Sequence, residues 1–298
     1  MIIVITGPTA VGKTKMSIEL AKILNGEIIN ADSTQVFKGL DIATAKVTEE
    51  EKEGIIHHLI DIKNIEEDYT VYDYQKDSRR VIEDILKRNK TPIIVGGTGL
   101  YIAASLYDYK FETETYNNNY EGYSNEEIYQ KLLAIDPKVD IHPHNRKRMI
   151  RALNYYENTH QLFSRKETTN KLLYDTLFIG LTTDRQILYD RINTRVDIML
   201  ENGLLEEAKK IYDTGIRTKA VTTPIGYKEL FEYFDGSITL DEAINQIKQK
   251  SRNYAKRQYT WFRNKMPIKW FYVNFENFDF TIEEVKEYLK KEGIYEKN

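Results

Sequence analysis

The octapeptide "GPTAVGKT", Gly7–Thr14, constrains this chain more than any other stretch. It fits the pattern GxxxxGK[ST], which a chain of this length and average composition would contain by chance at roughly the one-per-cent level. It also lies between a strand-like run, "MIIVIT", and a segment with helical spacing, the context in which the pattern carries meaning. A turn of this form surrounds phosphate groups with backbone N–H groups and the N-terminus of the next helix. Gly7, Pro8, Thr9, Ala10, Val11, Gly12, Lys13 and Thr14 are therefore expected to form a phosphate-binding loop. Lys13 adds a point charge there, and the Thr14 hydroxyl suits Mg²⁺.

The flanking pattern extends this unit into a fold. Met16, Leu20, Ile23 and Leu24 share one helical face, and Asn25-Gly26 is expected to end the helix. "EIINADS" reads as a second strand and "SRRVIEDILKRN" as an amphipathic helix. "IIVGGTGLY" reads as a third strand entering a Gly-rich turn. Strands alternating with helices predict an α/β fold, a P-loop NTPase-like parallel sheet flanked by helices. Ligands of such sheets bind beyond the carboxyl ends of the strands. The loop at Gly7, Asp32 after strand two and Thr98 after strand three are thus expected to meet in one cleft.

The alternation breaks near Glu112, where "ETETYNNNYEGYS" is polar and loop-like. Helices are expected over 124–133 and about 145–158, the second carrying Arg146, Lys147, Arg148 and Arg151. We read 112–170 as a small helical insertion domain between core segments 1–111 and 171–298. "TLFIGLTTD" returns to a buried strand, and long helices follow, one around Arg191–Leu200 and one from Ile244. The tail reads as a helix near Thr281–Lys291, with Thr281 and Glu284 at capping-box spacing.

Net charge is −3, which taken alone argues against a nucleic-acid partner. Its distribution says something different. From Ala243 to Phe275 there are eight Lys or Arg and no Asp or Glu. That stripe reads either as a basic contact face or as a solvated helix face. The chain has no Cys, which excludes disulfides and thiolate metal sites and suits a reducing cytoplasm. No signal-peptide pattern follows Met1 and no apolar stretch approaches a membrane span. A cytoplasmic protein without membrane contact is expected.

The loop does not say whose phosphates it holds. A nucleotide hydrolase of this kind has a further apolar strand ending in Asp, which holds Mg²⁺ and positions water. Here "PIIVGG" ends in glycines, and Asp184 lies beyond the apolar part of "FIGLTTD". The best-placed acid is Asp32, which reads either as a cleft acid or as a cap of the next turn. Kinases of small metabolites use an acid near that place, so such a kinase is the alternative reading. His57 and His58 have no further metal-like partner nearby and read as structural.

Eight stretches, in order, resemble the tRNA dimethylallyltransferases, also called tRNA isopentenyltransferases. They are "GPTAVGKT", "NADSTQVFKGLDIATAK", "HHLID", "GGTGLYI", "RMIRAL", "RINTRVDIMLENGLLEEA", "IGYKEL" and "AKRQYTWFR", and they span about Ile3 to Arg263. The resemblance implies that the loop grips the diphosphate of dimethylallyl diphosphate rather than ATP. The five-carbon group would then pass to N6 of adenine 37 in tRNA. It implies Asp32 as base, with Lys13, a Mg²⁺ on Thr14 and the loop backbone taking up charge. Thr98 matches a residue near the diphosphate, or is a turn Thr between glycines; Arg195 is either a diphosphate clamp or a surface ion-pair residue.

By the same resemblance Asp32, Ser33, Thr34, Gln35 and Thr98 contact the target base and its surroundings. Lys147, Arg148 and Arg151 match tRNA-contacting positions, as do Gly226, Tyr227 and Lys228, and Lys256, Arg257 and Arg263. Tyr259, Trp261 and Phe262 are stacking candidates among the last group, and any one of them also reads as core. The match is to the compact bacterial form, expected as a monomer with no Cys/His finger. Two positions depart from the family pattern, Ala43 and Val47 standing where Gly and Pro are usual.

Overall fold

Every residue of strand β1 (Ile2–Thr6) is buried, with Ile3 and Ile5 in one apolar cluster and Ile2 and Val4 in another. Successive side chains of a strand point to opposite faces, so such a run belongs in a sheet covered on both sides. A computed structural model describes residues 1–111, 119–165 and 171–295 and places β1 at the centre of that sheet. The other strands are β2 (Gly26–Asn30), β3 (His57–His58), β4 (Thr91–Val95), β5 (Thr176–Thr182) and β6 (Lys269–Tyr272). They pair in the order β3-β2-β4-β1-β5-β6, and all pairs are parallel. In register, Val4 lies between Ile94 and Phe178.

Helices α1 (Lys13–Ile23), α2 (Val71–Lys87) and α3 (Gly99–Leu106) follow β1, β3 and β4. Met16 and Leu20 of α1 pack with Ile3 and Ile5, while Ile82 and Ile85 of α2 pack with Ile2 and Val4. Asn25 takes the left-handed turn after α1, with φ 47°, and Gly26 opens β2 instead of ending the helix. Helix α2 starts a full two turns before the expected "SRRV" because Thr70 and Asp73 cap each other's backbone N–H groups at Val71.

The chain divides into two compact units, Met1–Tyr107 with Leu172–Asn298, and Asp108–Lys171. The second holds α4 (Asn125–Ile135), capped by Ser124 and Glu127, and α5 (Arg146–Thr159). Ile128 and Leu132 pack there on Met149, Ala152 and Leu153. Arg146 is structural, donating to the carbonyls of Tyr120 and Tyr123 at 2.8 and 2.7 Å. Much of the polar run expected as a loop after Glu112, and the expected end of the insertion at Asn170, lie outside the described residues.

In the first unit, α6 (Arg185–Glu201), α7 (Leu204–Asp213), α8 (Lys219–Thr222) and α9 (Tyr227–Phe234) precede the long α10 (Leu240–Lys265). Helix α11 (Phe278–Lys291) closes the chain. It begins one turn before Thr281, so the expected capping box is not used. Thr281 is fully buried, and its hydroxyl accepts from the Asn274 N–H at 2.9 Å, tying the preceding loop to the helix. Phe262 of α10 and Met266 just beyond its end belong to the cluster under Ile2 and Val4.

Candidate active site

The carboxyl ends of three adjacent strands, β2, β4 and β1, carry the three expected site segments. Gly7–Gly12 follows β1, Ala31–Ser33 follows β2 and Gly96–Thr98 follows β4. They line a cavity of about 600 Å³ that includes Thr9, Gly12, Lys13, Thr14, Asp32, Gly96, Gly97 and Arg195. Gly12 caps α1 in the left-handed region, with φ 90°, and a Cβ there would stand 2.5 Å from the Phe278 ring. That position therefore requires glycine on two counts. Val11 is fully buried and does not line the cavity.

Lys13 Nζ donates to the carbonyls of Gly7 and Pro8 at 3.1 and 2.7 Å. An ammonium has three donors, so one remains for an anion in the cavity. Burial, and then the Arg195 guanidinium, pull the Lys13 pKa down to about 7, with Asp32 opposing them. Arg195 is no surface ion-pair residue. It lines the cavity, donates to Thr9 Oγ1 at 3.3 Å, and is itself pulled down chiefly by burial. An anion would relieve both cations.

Asp32 fulfils both of its readings at once. Its Oδ1 accepts from the Thr34 N–H at 2.9 Å and from the Thr34 hydroxyl at 2.6 Å, fixing the turn. Its Oδ2 takes no hydrogen bond among the described residues. The buried Asn30 amide holds the backbone in place, accepting from Asp32 N–H at 3.1 Å and donating to the Asp32 carbonyl at 3.2 Å. Thr98 precedes α3 but does not cap it; its Oγ1 accepts from the Ser33 N–H at 3.1 Å. Thr98 thus supports the Asp32 turn from the neighbouring strand.

A second cavity, of about 290 Å³, meets the first along Thr9, Asp32, Arg195 and Tyr254. Its far wall is mainly apolar, with Ile192, Val196, Met199 and Ile225. Tyr254 was not singled out by the sequence. Burial and then Asp32 push its phenol up to about 12, so it stays protonated beside the carboxylate.

The remaining expected positions divide into surface and core. Lys147 and Arg148 of the second unit are exposed and Arg151 is half-buried. Lys256, Arg257 and Arg263 are exposed, and none forms an ion pair among the described residues. Lys248 and Lys250 of the same stripe are neutralised by Asp197 and Glu229. The stacking candidates are not free platforms. Phe262 is fully buried, Tyr259 stacks on Trp270 at 5.1 Å, and Trp261 packs over Gly99, where a Cβ would lie 2.1 Å from its ring.

Tyr227 is likewise buried, its hydroxyl donating to Glu207 at 2.6 Å, and the Gly226 N–H is spent on Glu229 at 2.8 Å. Only Lys228 of that trio is exposed. The Gln35 amide nitrogen is committed to the carbonyls of Thr44 and Ala45 at 2.9 and 3.3 Å. Of the two histidines, His58 bonds the buried Glu27 at 2.8 Å, which fits a structural role. His57 also borders the larger cavity.

Residues 35–265 match the family model described as IPP transferase. The chain belongs to that family. A tRNA dimethylallyltransferase of Anoxybacillus flavithermus is 51% identical over 306 aligned residues, covering 100% of this chain and 98% of the relative. The solved full-length tRNA isopentenylpyrophosphate transferase of Bacillus halodurans is 45% identical with a TM-score of 0.76, covering 97% of this chain and 95% of that one. A eukaryotic dimethylallyltransferase captured acting on tRNA is 31% identical with a TM-score of 0.85, covering 98% of this chain and 79% of that one.

The two departures from the IPP transferase pattern fit this backbone. The left-handed residue of the loop is Ala45, with φ 48°, and not Ala43, so residue 43 does not need glycine. The Val47 N–H makes no hydrogen bond among the described residues, so proline there would remove nothing. What holds the loop is Glu207, whose carboxylate accepts from the N–H groups of Asp41, Ile42 and Ala43 at 2.9 to 3.1 Å. Nothing in the local sequence signals that role, because the partners are more than 160 residues apart.

Proposed function

We propose that this chain transfers the dimethylallyl group from dimethylallyl diphosphate to N6 of adenine 37 in tRNA, releasing diphosphate. The observation that carries the reading is one cavity that joins a phosphate loop with two half-buried cations, Lys13 and Arg195, to a carboxylate with an open oxygen. A water-activating acid at the end of β4 is not needed, because no water attacks. The adenine amine is a weak nucleophile, its lone pair being delocalised into the ring. N6 attacks the allylic carbon, the carbon–oxygen bond breaks with its electron pair on the diphosphate, and Asp32 Oδ2 takes the N6 proton.

Lys13, Arg195 and the loop N–H groups meet the charge that develops on the leaving oxygen. The donor set also suits a hard cation carried by the diphosphate. The Thr14 hydroxyl borders the cavity and makes no hydrogen bond among the described residues. Those residues contain no group of three His, Cys, Asp or Glu able to hold a metal alone. Mg²⁺, with phosphate and water oxygens completing its shell, would be held at Thr14 and would neutralise leaving-group charge. The target base must leave its stack to reach Asp32, as in other enzymes that work on a base.

We place the tRNA on Lys256, Arg257 and Arg263, with Lys147, Arg148 and Arg151 of the second unit and Lys228 as further contacts. Asp32, Ser33 and Thr34 lie nearest the base. The protein acts as a monomer in the cytoplasm; among the described residues no helix is long and apolar enough to cross a membrane. The double variant Lys256→Ala, Arg257→Ala is expected to weaken tRNA binding and to reduce the slope of log affinity against log salt by about 1–2. An unchanged slope in filter binding at several salt concentrations would make that face merely solvated.

The reaction is tested by nucleoside mass spectrometry of an unmodified tRNA with adenine at 36–38, mixed with protein, Mg²⁺ and dimethylallyl diphosphate. Prenylated adenosine at position 37, formed without ATP, is expected. Several such tRNAs left unmodified while ATP is consumed would point to the kinase instead.

A further inference from the structure

Within the motif "AKRQYTWFR", Gln258 is only 5% exposed, in the C-terminal half of α10. Its Oε1 accepts from the Thr9 N–H at 3.0 Å, across 249 residues of chain. Its Nε2 donates to the Gly97 carbonyl at 3.1 Å. The two bonds fix the amide in one orientation, since exchanging O and N would set donor against donor and acceptor against acceptor. Gly97 accommodates this approach only because it lacks a side chain; a Cβ would stand 2.0 Å from Nε2. Gln258 therefore ties the phosphate loop to the turn that carries Thr98, and Thr98 in turn holds the Ser33 N–H beside Asp32.

We propose that Gln258 is a positioning residue for diphosphate capture and transfer. A buried N–H needs a partner. By taking the one from Thr9, Gln258 sets the entry of the loop, so that the N–H groups after it converge on the cavity. Its helical neighbours Lys256 and Arg257 are exposed, and Arg257 also borders the smaller cavity, so one turn of α10 carries cations and braces the catalytic loops. This inference rests on the transferase reading given above.

The test compares wild type with Gln258→Met, which keeps side-chain volume and loses both hydrogen bonds, and with Gln258→Ala. Three quantities are measured: Kd for inorganic diphosphate with Mg²⁺ by calorimetry, Kd for tRNA by filter binding, and single-turnover transfer. Gln258→Met is expected to weaken diphosphate binding and slow transfer, each by roughly tenfold, and to lower Tm modestly because the Thr9 N–H and Gly97 carbonyl lose their partner, with tRNA affinity close to wild type. Wild-type behaviour of Gln258→Met beside a damaged Gln258→Ala would reduce the residue to space filling and overturn the proposal. A fall in Tm with both substrates weakened equally would overturn it too. Absence of transfer in the wild type would sink the transferase reading itself, while the diphosphate Kd values would still judge Gln258.

Discussion

Asp32→Ala is expected to slow single-turnover prenyl transfer by about 10²–10⁴-fold, the usual worth of a positioned general base, while tRNA binding stays nearly intact. The variant also frees the Thr34 N–H and hydroxyl, because Asp32 Oδ1 holds both. Asp32→Asn separates the two roles. Its amide oxygen can still accept from Thr34, but the other atom becomes a donor and has no basicity. Loss of transfer in both variants assigns the proton to Asp32. Full activity in Asp32→Asn with loss in Asp32→Ala would leave the residue as a turn-former and remove it as base.

Lys13→Ala is expected to lower kcat/KM for dimethylallyl diphosphate by about 10²–10³-fold, the range seen on removing one preorganised donor to a developing anion. It should act on binding and chemistry together, since in the proposed reaction the same ammonium would face the diphosphate before and after the bond breaks. Steady-state kinetics with the diphosphate varied would check this, and unchanged parameters would count against the role given to the loop. The pH dependence has a definite sign. With its pKa pulled down to about 7, Lys13 loses charge as pH rises through 7. A bound diphosphate favours the charged form, so binding takes up a proton at this site, and the Lys13 contribution to affinity is full below about pH 7 and falls as pH rises above it toward the higher pKa of the bound form. Calorimetry in buffers of different ionisation enthalpy, wild type against Lys13→Ala, isolates that proton from those of the diphosphate.

Strand β1, the phosphate loop and α1 were legible because their signals are local, with apolar residues at fixed spacing and a Gly, Lys and Thr at set positions. The parallel sheet followed from alternation, and Asp32 and Thr98 were placed from strand ends alone. Strands β3 and β6 were not legible, since two and four residues carry no period and pair through backbone groups. The sequence's third strand is consequently β4. Thr281 and Glu284 have capping-box spacing but lie inside a helix, because the Thr281 hydroxyl found a partner in Asn274. The aromatic run Tyr259–Phe262 was ambiguous for a physical reason. A ring with a π face serves equally for a base or for the core, and only the fold decides. Gln258 and Glu207 fall inside stretches that carry the family resemblance, but their roles were not legible because both act on backbone groups far away in the chain.

The tie between Thr9 and Gln258 also sets when this site can first exist. During synthesis the phosphate loop leaves the ribosome early, and the helix that braces it follows 249 residues later. At usual elongation rates of about 5–20 residues per second, that gap lasts roughly 12–50 s. For much of that interval β1 also lacks β5, one of its two sheet partners, and throughout it Gly12 lacks the Phe278 ring beside it. A nascent or prematurely released chain therefore carries the phosphate-binding signature without a working site. Under the role proposed for Gln258, the complete site awaits the synthesis of α10.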